Sequence, residues 1–241
     1  MVLEKNGAVI IVVKDIGWGD IGETLQEYSR RRRILVGELS LEEGRYLVRL
    51  ARQTIYNYLK KIEGPPPTPI SEKLKQERGV FVTLYTYPTR DLRGCIGFPL
   101  PTMPLYQATM EASIASATKD PRFRPLRVDE LNHVVIEVSV LTSPEEIIYR
   151  NPNELVDKIV VGRDGLIIKS GPYSGLLLPQ VPVEYNWTVE EYLMHLCLKA
   201  GLESTHWVKG KAKIYRFTAQ IFSELEPDGE IIEEELSSKK C

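Results

Sequence analysis

Arg93 and Cys95 stand two residues apart in Leu92-Arg93-Gly94-Cys95-Ile96-Gly97, a run whose composition reads as a β-strand. Alternate side chains of a strand share a face, so the pattern predicts Arg93, Cys95 and Gly97 on one side and Leu92, Gly94, Ile96 and Phe98 on the other. A guanidinium beside a thiol favours the thiolate, the form in which cysteine is a nucleophile. Gly94 and Gly97 remove side-chain bulk and would let a ligand or another backbone approach. The blander alternative is a packed cysteine, because cysteine is among the most often buried residue types.

Two other groups carry chemical potential. In Asp120-Pro121-Arg122-Phe123-Arg124-Pro125, two prolines stiffen a loop bearing one carboxylate, two guanidiniums and an aromatic ring. Such a loop suits a binding site, and equally a self-contained Asp-Arg cap over the preceding helix end. Glu137 and Ser139 share one face of a strand whose opposite face is Val134, Ile136, Val138 and Val140. A carboxylate there must find a cation or shift its pKa, and Arg93 or Arg122 is the expected partner. Leu178-Pro179-Gln180 sets a polar side chain after an apolar strand. His133, His195 and His206 show no metal-ligand or triad spacing, so no metal site is expected.

These residues fit two chemistries. In an enzyme, Cys95 would be the nucleophile, Arg93 would hold it as thiolate or bind an anionic substrate, and Asp120 or Glu137 would move protons. In a binding domain, Arg93 and Arg122 would anchor a small anionic ligand or a segment of a partner. Nucleic-acid binding ranks behind both. It rests on the run Arg30 to Arg33, while 31 basic against 33 acidic residues leave a formal charge of −2 and no field drawing the chain to polyanions.

The elements that must position these groups follow from capping and periodicity. Ser40 and Glu43 form a capping box ahead of Leu47, Leu50, Ala51, Thr54, Ile55 and Tyr58 at helical spacing. Gly64-Pro65-Pro66-Pro67-Thr68-Pro69 ends that helix in a stiff spacer. Val80 to Tyr85 and Leu92 to Phe98 read as strands joined through Thr89-Arg90-Asp91. A helix is predicted from Pro104 to Thr118, then a strand over Val134 to Leu141 and a short helix near Glu154 to Lys158. Ile159 to Val161 and Leu166 to Lys169 are expected to form a hairpin around Gly162 to Gly165. Thr188 and Glu191 start a helix that stops at Gly201, and Tyr215 to Phe222 alternates as one strand. Hairpins with irregularly spaced helices imply an α+β fold with antiparallel or mixed sheets.

At 43% hydrophobic and 27% charged residues the chain has the composition of an ordered globular protein. Three cysteines, Cys95, Cys197 and Cys241, with no CxxC pair point to a reducing, cytoplasmic setting. The early apolar run Ala8 to Val13 is too short for a membrane span.

Leu92 to Gly97, Asp120 to Pro125 and Leu177-Leu178-Pro179-Gln180, together with Trp187 and Cys197 to Leu202, resemble the AMMECR-one domain family. The resemblance runs from about Leu39 to Phe222. It implies an α+β domain over 39–225 with two subdomains and a cleft between them, the larger built from both ends and the smaller from the middle. Residues 1–38 are then an N-terminal extension and 226–241 an acidic tail. The family carries no settled activity and names no cofactor, but its association with Memo-like and radical-SAM proteins implies a partner of that kind. Matched to the family's motif, Arg93, Gly94, Cys95, Gly97, Asp120, Arg122, Phe123, Pro125, Pro179 and Gln180 are the site candidates.

Overall fold

In a computed structural model of the chain, residues 39–65 and 67–234 are described. The expectations for 1–38, including the Arg30 to Arg33 run, lie outside them. The described chain forms two compact units, one of 39–143 with 220–234 and one of 144–219.

The first unit is a five-stranded sheet carrying two helices on one face. Helix α1 (Leu41–Lys60) starts at the Ser40 capping box, with the Ser40 hydroxyl accepting the Glu43 N–H and the Glu43 carboxylate accepting the Ser40 N–H. After a single 3-10 turn (Glu72–Lys75) come strands β1 (Val80–Thr86) and β2 (Leu92–Phe98), helix α2 (Leu105–Thr118) and strand β3 (Val134–Leu141). The sheet is closed out by β8 (Ala219–Glu224) and β9 (Ile231–Glu234), in the order β2-β1-β3-β8-β9, so β2 is an edge strand. The β2–β1, β1–β3 and β8–β9 pairings are antiparallel.

Strand periodicity decides which residues make the core. Val80, Val82, Leu84, Ile136, Val138 and Val140 face the helices and bury against Leu47, Val48, Ala51 and Ile55 of α1 and Leu105, Ala108 and Ala112 of α2. Each large aliphatic side chain removed from water in this way contributes roughly 1.5–3 kcal/mol. The alanine face of α2 lets its backbone come close to the sheet. One charged pair crosses the layers. Arg52 of α1 donates to both carboxylate oxygens of Glu224 in β8 (2.6 and 2.5 Å), to the carbonyls of Leu131 and Val134, and Glu224 accepts the Ile136 N–H.

The second unit holds a four-stranded sheet with order β4-β7-β5-β6, from β4 (Glu145–Glu146), β5 (Gly165–Ser170), β6 (Tyr173–Leu177) and β7 (Lys213–Phe217), all paired antiparallel. Helices α3 (Pro152–Lys158), α4 (Gln180–Glu184) and α5 (Val189–Lys199) complete it. The Thr188–Glu191 capping box opens α5, and Gly201 follows it with a φ of +75°. Tyr192 of α5 is fully buried, its hydroxyl donating between the carbonyls of Asp164 and Leu177.

Three expectations are corrected. Ile159 to Val161 is no strand. The Asp164 carboxylate takes the Val160 N–H at 2.9 Å and turns 160–164 into a local loop before β5. The alternating run Tyr215 to Phe222 is two strands, because Thr218 separates β7 in one sheet from β8 in the other. Alternation registers which face is buried and says nothing of which strand is the partner. The stretch from Glu226, expected to be an acidic tail, contributes β9 to the first sheet, Glu224 pairing with Ile231.

Candidate functional site

On the sheet face opposite α1 and α2, cross-strand pairing lines up Cys95 of β2, Thr83 of β1 and Glu137 of β3. Directly opposed residues project from the same face, so these three form one row, with Gly97, Phe81 and Ser139 forming the next. Thr83 donates to the Cys95 sulfur at 3.4 Å, and Ser139 donates to Glu137 Oε1 at 3.4 Å. Thr83, Glu137 and Ser139 are buried, while Cys95 keeps part of its surface in solvent.

Arg93 departs from this row. Leu84 pairs with Gly94 and Tyr85 with Leu92, so the register slips by one and Arg93 is the extra residue of β2. Such a bulge re-aims a side chain. The Arg93 guanidinium turns to Glu130, contacting Oε1 through Nε (3.4 Å) and Nη2 (3.3 Å). The expected guanidinium–thiol pair is therefore replaced. The guanidinium acting on the Cys95 sulfur is that of Arg122, and its help is outweighed. Desolvation, with the carboxylates of Glu137 and Asp120, pushes the thiol up to about 11 against the opposing pull of Thr83 and Arg122. At neutral pH Cys95 is a thiol, not the activated thiolate that the sequence suggested.

The loop after α2 is built around Asp120, which is almost fully buried. Its Oδ2 accepts the main-chain N–H of Cys95 at 2.9 Å, and its Oδ1 accepts the Arg122 N–H at 3.1 Å. The Arg122 guanidinium closes on the same carboxylate through Nε (3.0 Å) and Nη2 (2.8 Å). The Leu126 N–H returns to the Ala117 carbonyl and shuts the loop. The Asp-Arg pair thus exists, but it caps the edge of β2 and not the end of α2. The Phe123 ring lies within cation–π reach of two guanidiniums, with the Arg122 guanidinium carbon 5.3 Å and the Arg93 one 6.0 Å from its centroid. Pro125 stays exposed on the same loop.

The glycines serve packing. A Cβ on Gly94 would sit 2.3 Å from the Ser116 carbonyl oxygen, so it is the α2 backbone that approaches there. Ser116 also accepts the Ile96 N–H at 2.9 Å, lashing α2 to β2. A Cβ on Gly97 would fall 2.5 Å from the Phe81 ring. Neither position is open to a ligand. Pro179 and Gln180 begin α4 and belong to the second unit, where the Gln180 side-chain oxygen is buried without a hydrogen-bond partner among the described residues.

Glu130 is the residue sequence reasoning missed. It lies in a 3-10 helix (Val128–His133) and joins Arg93 to Arg124, which reaches it through Nη1 (2.8 Å) and Nη2 (3.1 Å). Burial disfavours its charge, but the Arg127 N–H and the Arg93 and Arg124 guanidiniums prevail and hold the carboxyl below the ordinary range. Its only sequence signal is an acid in the first turn of a short helix. Among the described residues no three of His, Cys, Asp and Glu gather as metal ligands, and no helix is long and apolar enough to cross a membrane.

The AMMECR1 family model matches residues 48–222. Protein MJ0810 of Methanocaldococcus jannaschii is 57% identical over 202 residues, 82% of this chain and 98% of that protein. Protein MK0488 of Methanopyrus kandleri is 53% identical over 207 residues, 84% of this chain and 99% of that protein. The crystal structure of protein PH0010 from Pyrococcus horikoshii superposes with a TM-score of 0.75 at 52% identity, covering 80% of this chain and 97% of that one.

Proposed function

We propose, from the premise that this chain belongs to the AMMECR1 family, that its first unit is a binding domain for an anionic group, with Arg93, Arg124 and Phe123 forming the contact surface and Arg122 and Asp120 holding it in place. One observation carries this reading. Arg93 is buried to 11% side-chain exposure, yet among the described residues its one ion pair is with a carboxylate that Arg124 shares, at 3.3 Å. A buried guanidinium normally gathers short, two-point contacts, as Arg122 does on Asp120 at 2.8 and 3.0 Å. Among the described residues Arg93 engages Glu130 through Nε and Nη2 alone, at 3.4 and 3.3 Å.

The enzyme reading with Cys95 as nucleophile has less support, since a thiol pushed up to about 11 is overwhelmingly protonated at pH 7. Its remaining support is the row Cys95, Thr83 and Glu137, in which a buried carboxylate lies near enough to raise the thiol. The Asp120 carboxylate is already engaged by four N–H donors. A Memo-like or radical-SAM protein is the partner class to test first. A cytoplasmic setting fits the free thiols of Cys95 and Cys197.

The test is titration of the full chain with phosphate and with acetate at low ionic strength, read by calorimetry and by thermal stability. Saturation at 100 times the dissociation constant should stabilise the fold by about 2.7 kcal/mol. Arg93→Gln should lose at least tenfold in affinity and Cys95→Ser should lose none. Undiminished binding by Arg93→Gln, or its loss in Cys95→Ser, would overturn the reading.

A further inference from the structure

The two oxygens of Glu130 receive four guanidinium contacts and one main-chain N–H. Arg124 grips it end-on across both oxygens, at 2.8 and 3.1 Å. Arg93 approaches Oε1 through Nε and Nη2, at 3.4 and 3.3 Å. The Arg127 N–H, at the start of the short 3-10 helix, supplies the fifth contact at 3.0 Å. Guanidinium forks converging on a planar pair of oxygens are the geometry of carboxylate recognition. Side-chain exposure rises from 11% at Arg93 through 22% at Glu130 to 62% at Arg124, so the seat opens to solvent on the Arg124 side. Glu130 itself reaches the seat from a helix of six residues, held there by one capping bond besides the arginines.

Resting on the binding reading above, we propose that the group recognised is a carboxylate and that Glu130 is its internal stand-in, occupying the seat when no ligand is bound. Exchange conserves charge. An incoming carboxylate takes over the Arg93 and Arg124 forks as Glu130 swings out, and the long Arg93 contacts become short ones. The wild-type chain therefore binds carboxylates weakly, in competition with its own side chain, until an acidic partner supplies further contacts. Small dicarboxylates and acidic peptide segments share this chemistry.

The experiment is chemical rescue in the full-length chain. Glu130→Ala should be less stable than wild type, and acetate at constant ionic strength should restore part of the loss, whereas chloride and phosphate should not. Adding Arg93→Gln should abolish the acetate response. Glu130→Gln, which keeps the helix cap and the side-chain shape, should bind acetate at least tenfold more tightly than wild type. Succinate against a short glutamate-containing peptide then separates a metabolite from a protein segment as the source. Equal rescue by chloride or phosphate, or folded Glu130 variants indifferent to acetate, would overturn the proposal. Wild-type binding of phosphate at Arg93 with no carboxylate response in either variant would retain the anion-binding function and remove the stand-in. Acetate rescue without any anion binding by wild type would retain the seat and remove the function.

Discussion

The Asp120 carboxylate accepts the main-chain N–H of Cys95 at 2.9 Å, fastening the loop after α2 to the outer edge of β2. An edge strand offers unpaired N–H groups to any other strand, and covering it with a loop is one way a sheet protects that edge. The same carboxylate holds Arg122, so a single acid fixes both the backbone beside the thiol and the cation near it.

Replacing Asp120 should therefore damage the fold before any function. Asp120→Ala leaves a buried guanidinium and an edge N–H without partners, and the loss should be about 3–5 kcal/mol by urea denaturation. Asp120→Asn keeps an acceptor for Cys95 and should lose less. Wild-type stability in the alanine variant would show that the pair is not structural.

Alkylation of Cys95 by iodoacetamide should accelerate about tenfold per pH unit from 7 to 10 with no plateau, as a thiol titrating at about 11 requires. Stability follows with a definite sign. The unfolded thiol ionises near 8.5 and the folded one at about 11, so the unfolded state binds fewer protons between these values and stability falls as pH rises through that window. Cys95→Ser should remove that part of the alkaline loss, about 1–2 kcal/mol after allowing for the sulfur's partial exposure.

Gly94→Ala should cost about 3 kcal/mol, because its Cβ would meet a backbone carbonyl oxygen at 2.3 Å and the Ser116 turn of α2 cannot yield as a side-chain tip would. The change in denaturation midpoint should come without a change in slope. Gly64→Ala, where nothing lies within 4 Å, is the matched control and should leave the midpoint nearly unmoved.

Arg52→Ala should cost about 3–5 kcal/mol, since it strands the buried Glu224 carboxylate. Replacing both partners by Met and Leu should recover only part of this. The carbonyls of Leu131 and Val134 and the N–H of Ile136 would still lose their partners. Full recovery in the double variant would mean that those backbone groups find water.

Acid should weaken the Glu130 junction. Its carboxyl is held below the ordinary range in the folded state, so its contribution is present above the unfolded pKa, near 4.3, and is lost as pH falls through the folded value. Partial exposure limits this to under about 1 kcal/mol. Glu130→Gln should flatten that part of the acid limb.

What the sequence by itself determined are the features set within a few residues. The Ser40–Glu43 and Thr188–Glu191 boxes mark the starts of α1 and α5, alternation gives β2 and β3 to the residue, and the Asp120–Arg122 pair forms between near neighbours. Local hydrogen bonds and side-chain period fix these, so a linear reading finds them. Tertiary structure decided the rest. The register slip at Arg93 depends on how β1 pairs, and it sends the guanidinium to Glu130, 37 residues away. The state of the Cys95 thiol depends on how many groups crowd it, which no spacing encodes. Thr218 parts two strands only because their partners lie in different sheets. Pairing and burial are sums over distant residues, and those sums push the thiol that adjacency suggested as a nucleophile up to about 11 and pair Arg93 with Glu130 instead.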